Sequence, residues 1–188
     1  LSLLDAVIEH DREKLEALSK ANTRFMIWGP VIQDQPGHSF GCDNDNGGYQ
    51  ATNHLISLGR RRIAFVGSTS RRSPELAARH SGYARALGEH GIDENPALIL
   101  SAQNSEHQGY AAALQLLDSG VDFDAVFAVT DLVAIGVMRA LTERGIAVPR
   151  DVSVVGFDDM PLAAHVTPRL TTVQQNARFG AEGLVRGL

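Results

Sequence analysis

Short runs that are apolar at every or nearly every position recur through this chain, separated by amphipathic stretches that stop at glycine. The runs are Ile63-Ala64-Phe65-Val66, Ala97-Leu98-Ile99-Leu100, Ala125-Val126-Phe127-Ala128-Val129 and Val152-Ser153-Val154-Val155-Gly156. A strand that is apolar throughout has both faces buried, which is the situation in a parallel sheet covered by helices on two sides. The intervening stretches read as those helices. Residues 48–58 place Ala51, Leu55 and Leu58 on one face and stop at Gly59. Ser73-Pro74-Glu75 has the form of an N-cap with proline at the first helical position. It opens a helix with Leu76, His80, Tyr83, Ala84 and Leu87 on one side, stopping at Gly91. A helix from Glu106 to about Gly120 buries Tyr110, Ala113, Leu114 and Leu117, and Thr130-Asp131 opens another with Leu132, Ile135 and Met138, closed by Gly145. The expected class is α/β and doubly wound. The spacing is a βαβ rhythm with no sequence repeat.

The flanks are less regular. Leu1 to Leu4 read as the end of a strand, 11–20 as a short charged helix, and Phe25 to Trp28 as a strand stopped by Gly29-Pro30. Residues 31–40 read as loop, and 176–188 as helix.

Composition narrows the function. Apolar residues make up 44%, enough for a sizeable core. A formal charge of -5 argues against this segment gripping nucleic acid by itself, because phosphate binding needs a basic surface. The single cysteine, Cys42, rules out an internal disulfide, and His54, His80 and His165 are too scattered for metal spacing. No run approaches the ~18 residues of a membrane span, no signal peptide is visible, and the first residue is not Met. Gly67-Ser68-Thr69-Ser70 lacks the Lys-Ser/Thr ending of a phosphate loop, and there is no GxSxG elbow. The expectation is a protein that is not an enzyme and uses no cofactor or metal.

In an open parallel sheet, ligands sit beyond the carboxyl ends of the strands. Val66 is followed by Gly67-Ser68-Thr69-Ser70, with Arg79 in the next helix. Leu100 is followed by Ser101-Ala102-Gln103-Asn104, Val129 by Thr130-Asp131, and Gly156 by Phe157-Asp158-Asp159. This rim suits a polyhydroxylated ligand, since Asp accepts hydroxyl hydrogens, Arg donates in a fork and Asn does both. Plainer readings stand beside it. Thr130 and Asp131 cap a helix, Asp158 merely ends its strand, Arg79 is a solvated helix residue, and Trp28 is core. Arg60-Arg61-Arg62 reads as a solvated turn.

Asp151 to Asp159, followed by Pro161-Leu162-Ala163 and Leu170-Thr171-Thr172-Val173, closely resembles the signature of the lactose-repressor (LacI/GalR) family of bacterial transcription regulators. Asp45-Asn46, His54 to Gly59 with Arg61 to Phe65, Gly82-Tyr83, Gly109-Tyr110 and Ala125 to Ala128 with Asp131 agree in order and spacing. The resemblance implies a two-lobed effector-binding core of the periplasmic-binding-protein type (type I). It would bind a sugar or similar small polyol between its lobes. On this matching 44–174 form a complete C-terminal lobe, 1–43 and 175–188 part of a truncated N-terminal lobe, and the DNA-binding head is absent. The implied ligand residues are Arg79, Asn104, Thr130, Asp158 and Gln175. Thr130 stands where the family commonly has an amide and Asn104 where it has a stacking ring, which disfavours a flat purine. Trp28 is the candidate replacement ring, and Pro30 stands where Arg is common. The implied partners are a small-molecule effector and, through the absent head, operator DNA bound as a homodimer in the cytoplasm, with no membrane. The alternatives are a periplasmic sugar-binding protein of a transport system, which shares the fold, and an α/β enzyme, for which no reactive group is found.

Overall fold

The computed structural model describes residues 13–23, 25–29, 38–70, 72–175 and 182. The expected strand at Leu1 to Leu4, the first residues of the 11–20 helix and nearly all of the 176–188 helix lie outside the described residues. The chain divides into two compact units, Leu1–Cys42 with Asn176–Leu188, and Asp43–Gln175.

In the first unit, residues 13–20 form helix α1. Strands β1 (Met26–Trp28) and β2 (His38–Phe40) pair in parallel, with Met26 opposite His38 and Trp28 opposite Phe40. The end of the segment read as loop is therefore a strand. His-Ser-Phe carries no apolar run, so only its pairing reveals it.

The second unit runs α2 (Asn44–Ser57), β3 (Ile63–Val66), α3 (Pro74–Glu89), β4 (Ile99–Leu100), α4 (Glu106–Asp118), β5 (Ala125–Ala128), α5 (Asp131–Glu143), β6 (Ser153–Asp158) and β7 (Thr171–Gln174). Its five strands are all parallel, in the order β4-β3-β5-β6-β7. The winding reverses between β3 and β5: α3 leads outward to β4, and α4 returns to β5. Such a switch point opens a crevice at the carboxyl ends of the two strands. Helices cover both faces. A Cβ added to Gly47 of α2 would meet the Phe157 ring, while one added to Gly156 would strike the Asp131 carboxylate of α5. Successive residues of a strand point to opposite sides, so α2 and α5 lie on opposite faces.

The expected strands at 63–66, 125–129 and 152–156 are buried throughout, whereas Ala97 is exposed and Ile99 only partly buried; Phe65 and Phe127 meet edge to face at 5.6 Å in the core. Three boundaries differ from the sequence reading. Pro96 imposes a 3-10 turn over Pro96–Leu98, leaving only Ile99–Leu100 as strand. β6 does not stop at Phe157 but continues through Asp158, paired with Gln174. α2 opens at Asn44, ahead of the expected residue 48, while Ser73 holds the expected N-cap of α3, though without a side-chain capping bond. The Arg60-Arg61-Arg62 turn is also more engaged than expected. Arg60 donates to the carbonyls of Pro149, Arg150 and Asp151, and the backbone N–H groups of Arg61 and Arg62 reach Asp124.

The helix faces differ too. The buried stripe of α4 is Gly109, Ala112, Ala113 and Leu116, with Tyr110, Leu114 and Leu117 only partly buried; in α5, Leu132 and Ile135 are likewise only partly buried. Leu58, placed on the buried face of α2, is 58% exposed. The reason is that helices pack in pairs through small residues, α2 on α3 and α4 on α5.

The two pairs are built alike, a structural repeat beneath the βαβ rhythm. Gly48 of α2 lies against the backbone of Arg79, and Gly82 of α3 against the backbone of Asp45 and Tyr49. At the same relative positions, Gly109 of α4 lies against Val133, and Gly136 of α5 against Glu106 and Tyr110. Each crossing carries the same outer cluster. Arg85 stacks on Tyr49 at 4.2 Å and pairs with Asp45 at 2.6 Å, while the Tyr49 hydroxyl donates to Glu89. Arg139 stacks on Tyr110 at 4.6 Å and pairs with Glu106 at 3.2 Å, while the Tyr110 hydroxyl donates to Glu143. α2-β3-α3 and α4-β5-α5 are thus two copies of one unit, flanking the switch point.

Candidate functional site

Because every strand of the sheet runs the same way, all five carboxyl ends face one edge, and there the polar residues gather. Arg79 is one turn into α3, yet only 4% exposed. A buried guanidinium needs its donors satisfied. Its Nε donates to Asn44 Oδ1 at 2.9 Å, and Nη1 donates to the Val129 carbonyl at 2.5 Å and reaches Asp158 Oδ1 at 3.4 Å. The guanidinium lies 3.6 Å above the centre of the Phe157 ring. A solvated helix arginine would make none of these contacts, so the plainer reading of Arg79 is wrong.

Asp158 meets Arg79 because of its backbone. Asp158 has φ 114 and Asp159 has φ 53, both in the left-handed region. Non-glycine residues held there cost on the order of 1–3 kcal/mol each, which the surroundings must offset. The Asp158 carboxylate also accepts from Gln175 Nε2 at 2.5 Å. Burial pushes its pKa up, while the Arg79 charge and the Gln175 and Arg79 hydrogen bonds pull it back. Asp159 faces the other way, accepting from Gln174 Nε2 at 2.8 Å.

Beside this cluster, Thr130 is the N-cap of α5. Its hydroxyl accepts from the Val133 N–H and donates to Asn104 Oδ1 at 2.7 Å. That bond commits the Asn104 oxygen to Thr130 and leaves its NH2 as the outward group; Asn104 itself is exposed. Val129, whose carbonyl holds Arg79, precedes Thr130 directly, so the two groups adjoin. Arg79, Asp158, Gln175, Thr130 and Asn104 therefore lie on one edge of the larger unit. The side chain of Trp28 lies outside the described residues.

Three residues escaped the sequence reading. Asn44, the first residue of α2, fixes the Arg79 guanidinium. Phe157 supplies the platform under it. Asp131, read as a helix cap, is fully buried. Thr130 does the capping, and the Asp131 carboxylate accepts instead from the Met160 N–H at 2.7 Å and the Thr172 hydroxyl at 2.5 Å. Burial raises its pKa, against those two hydrogen bonds and together with repulsion from Asp158 and Asp159. The available signal was two polar residues in succession at a helix start, where only one can occupy the N-cap.

A separate groove of about 340 Å³ runs between α2 and strands β6 and β7, lined by Gln50, His54, Val155, Thr171 and Gln174 among others. It holds no carboxylate and no arginine to orient a ligand, so the chemistry favours the charged edge. Among the described residues no cluster of His, Cys, Asp or Glu could hold a metal ion, and no helix is long and apolar enough to cross a membrane.

The chain matches a family model described as a periplasmic binding protein-like domain over residues 52–188. It is 35% identical to the HTH-type transcriptional regulator AscG of Escherichia coli (strain K12), over 90% of this chain and 52% of that protein. It is 33% identical to the HTH-type transcriptional repressor PurR of Haemophilus influenzae, over 97% of this chain and 54% of that protein. The chain thus spans about half the length of these relatives. Among solved structures it resembles a complex of the regulator CelR with cellobiose, with TM-score 0.80 and 30% identity over 95% of this chain and 62% of that one. It also resembles a LacI-family regulator from Enterococcus faecium with bound ribose, with TM-score 0.80 and 29% identity over 92% of this chain and 63% of that one.

Proposed function

This chain belongs to the periplasmic-binding-protein-like family, in its LacI/GalR branch of transcriptional regulators, and from that membership we propose that it is the effector-sensing part of a DNA-binding regulator whose ligand is a sugar or similar small polyol. The observation that carries the reading is the Arg79–Asp158 pair, held largely out of water at the carboxyl edge of a parallel sheet beside its switch point. A carboxylate accepts two hydroxyl hydrogens and the guanidinium donates to ring or hydroxyl oxygens, so neighbouring hydroxyls of one sugar are read by both charges. The Gln175 and Asn104 amides add donors next to them. A flat base is a poorer fit. Position 104 offers no ring, and the Phe157 face is already covered by Arg79. Sugar complexes among structural relatives agree with this choice, and relatives named as HTH-type regulators favour a regulator over a transport protein.

The rest of the proposal concerns the longer protein. Operator DNA is bound through a helix-turn-helix head outside these residues, as a two-fold dimer in the cytoplasm, since two-fold symmetry matches operator half-sites. The acidic balance of this chain, -5, agrees with a sensing part that does not itself hold phosphate.

Thermal shift and calorimetry of the chain with cellobiose, ribose, galactose and hypoxanthine test the reading. At least one sugar is expected to raise the midpoint. Asp158→Asn is expected to weaken its binding by about tenfold or more, the scale of one lost charge-assisted hydrogen bond. A response to hypoxanthine alone, or a sugar response indifferent to Asp158→Asn, refutes it.

A further inference from the structure

We infer that Asp131 is a positioning residue for the effector site: without reaching the ligand, it holds the Asp158–Asp159 turn in the left-handed backbone that aims the Asp158 carboxylate at Arg79. The inference rests on the effector reading above and deepens it. Asp131 is 0% exposed, so no ligand touches it. Its carboxylate lies against Gly156 of β6, where a Cβ would collide with it, two residues before Asp158. Its oxygens then pin the chain beyond the turn at two points. Oδ2 accepts the Met160 N–H at 2.7 Å, and Oδ1 accepts the Thr172 hydroxyl at 2.5 Å. The same Thr172 oxygen accepts the Asp159 N–H at 3.2 Å. Both amides that follow Asp158 are thereby tied, directly or through Thr172, to one buried carboxylate. Asp158 and Asp159 have no glycine freedom of their own, so φ 114 and φ 53 need ties of this kind to offset their cost.

The arrangement also predicts which substitution is tolerated. An amide in place of the Asp131 carboxylate keeps one oxygen for Met160 and offers an NH2 to Thr172, whose hydroxyl has two lone pairs and rotates to accept from it. Alanine offers neither.

The test uses the whole 188-residue chain with 13C-labelled aspartate. The pH titration of the Asp158 side-chain carboxyl is followed together with affinity for whichever sugar of the panel binds. Asp131→Ala and Thr172→Val are each expected to move the Asp158 titration toward that of an ordinary aspartate, as the carboxylate swings into water, and to weaken the sugar by about tenfold. Asp131→Asn is expected to keep the sugar affinity within about threefold of wild type. If Asp131→Ala does not fold, Thr172→Val decides. Unchanged Asp158 titration and unchanged affinity in Thr172→Val overturn the inference, as does an Asp131→Asn chain as impaired as the alanine variant. If the wild-type chain binds no sugar, the effector reading fails, and the titration alone decides whether Asp131 positions Asp158.

Discussion

Arg79 draws contacts from three parts of the fold: Asn44 from α2, the Val129 carbonyl from the end of β5, and Phe157 with Asp158 from β6. Lysine would keep the charge but has neither the planar stack nor the second donor direction. Arg79→Lys is therefore expected to destabilise the chain by about 2 kcal/mol, read from urea unfolding. A variant as stable as wild type contradicts the packing described. Asp151 offers a residue-scale test of a different kind. Arg150 at 3.0 and 3.1 Å and the Ala147 N–H at 2.8 Å hold its pKa down to about 2. Its folded value lies below its unfolded one, so its contribution to stability is present above pH ~4 and is lost as pH falls toward 2. In Asp151→Asn, stability is expected to fall less steeply over that interval, measured as the urea midpoint at a series of pH values.

At the scale of elements, the paired helices show how far a sequence can be read. Their starts and stops follow from cap residues and glycines, which act locally. Which side of each helix is buried does not follow, because Gly82 and Gly136 draw a partner helix against the face that holds them. Large apolar residues such as Tyr110 and Ile135 then move toward the margin. Gly82→Ala and Gly136→Ala would each direct a methyl group into a partner backbone that no rotamer change can clear. Each is expected to destabilise by about 2–3 kcal/mol, visible in chemical unfolding. Similar losses at the two positions would bear out the equivalence of the two helix pairs, and a loss at one position alone would count against it.

For the whole molecule, the buried cluster among the described residues runs from Ala51 to Leu170, so Asp43–Gln175 holds a continuous core of its own. A unit with its own core unfolds cooperatively by itself. The fragment Asp43–Gln175 is expected to give a single sigmoidal thermal transition in calorimetry. A gradual, non-cooperative melt would mean that its stability depends on the remaining residues.

The parallel sheet, its helical cover and the polar rim at its carboxyl edge were all legible in the residues. Buried strands, caps and stopping glycines are local signals, and parallel winding forces every strand end to one side. Tertiary structure alone decided how the rim is wired. Arg79 and Asp158 are 79 residues apart, and Asp131 and Thr172 are 41 apart. No periodicity links positions so distant; the sheet order brings them together. That order makes Asp131 an anchor where its sequence context suggested a cap, and it carries β6 on to Asp158 where the acids suggested an end. Long-range contact, which local preference does not encode, decided which of these side chains are solvated and which are buried and paired.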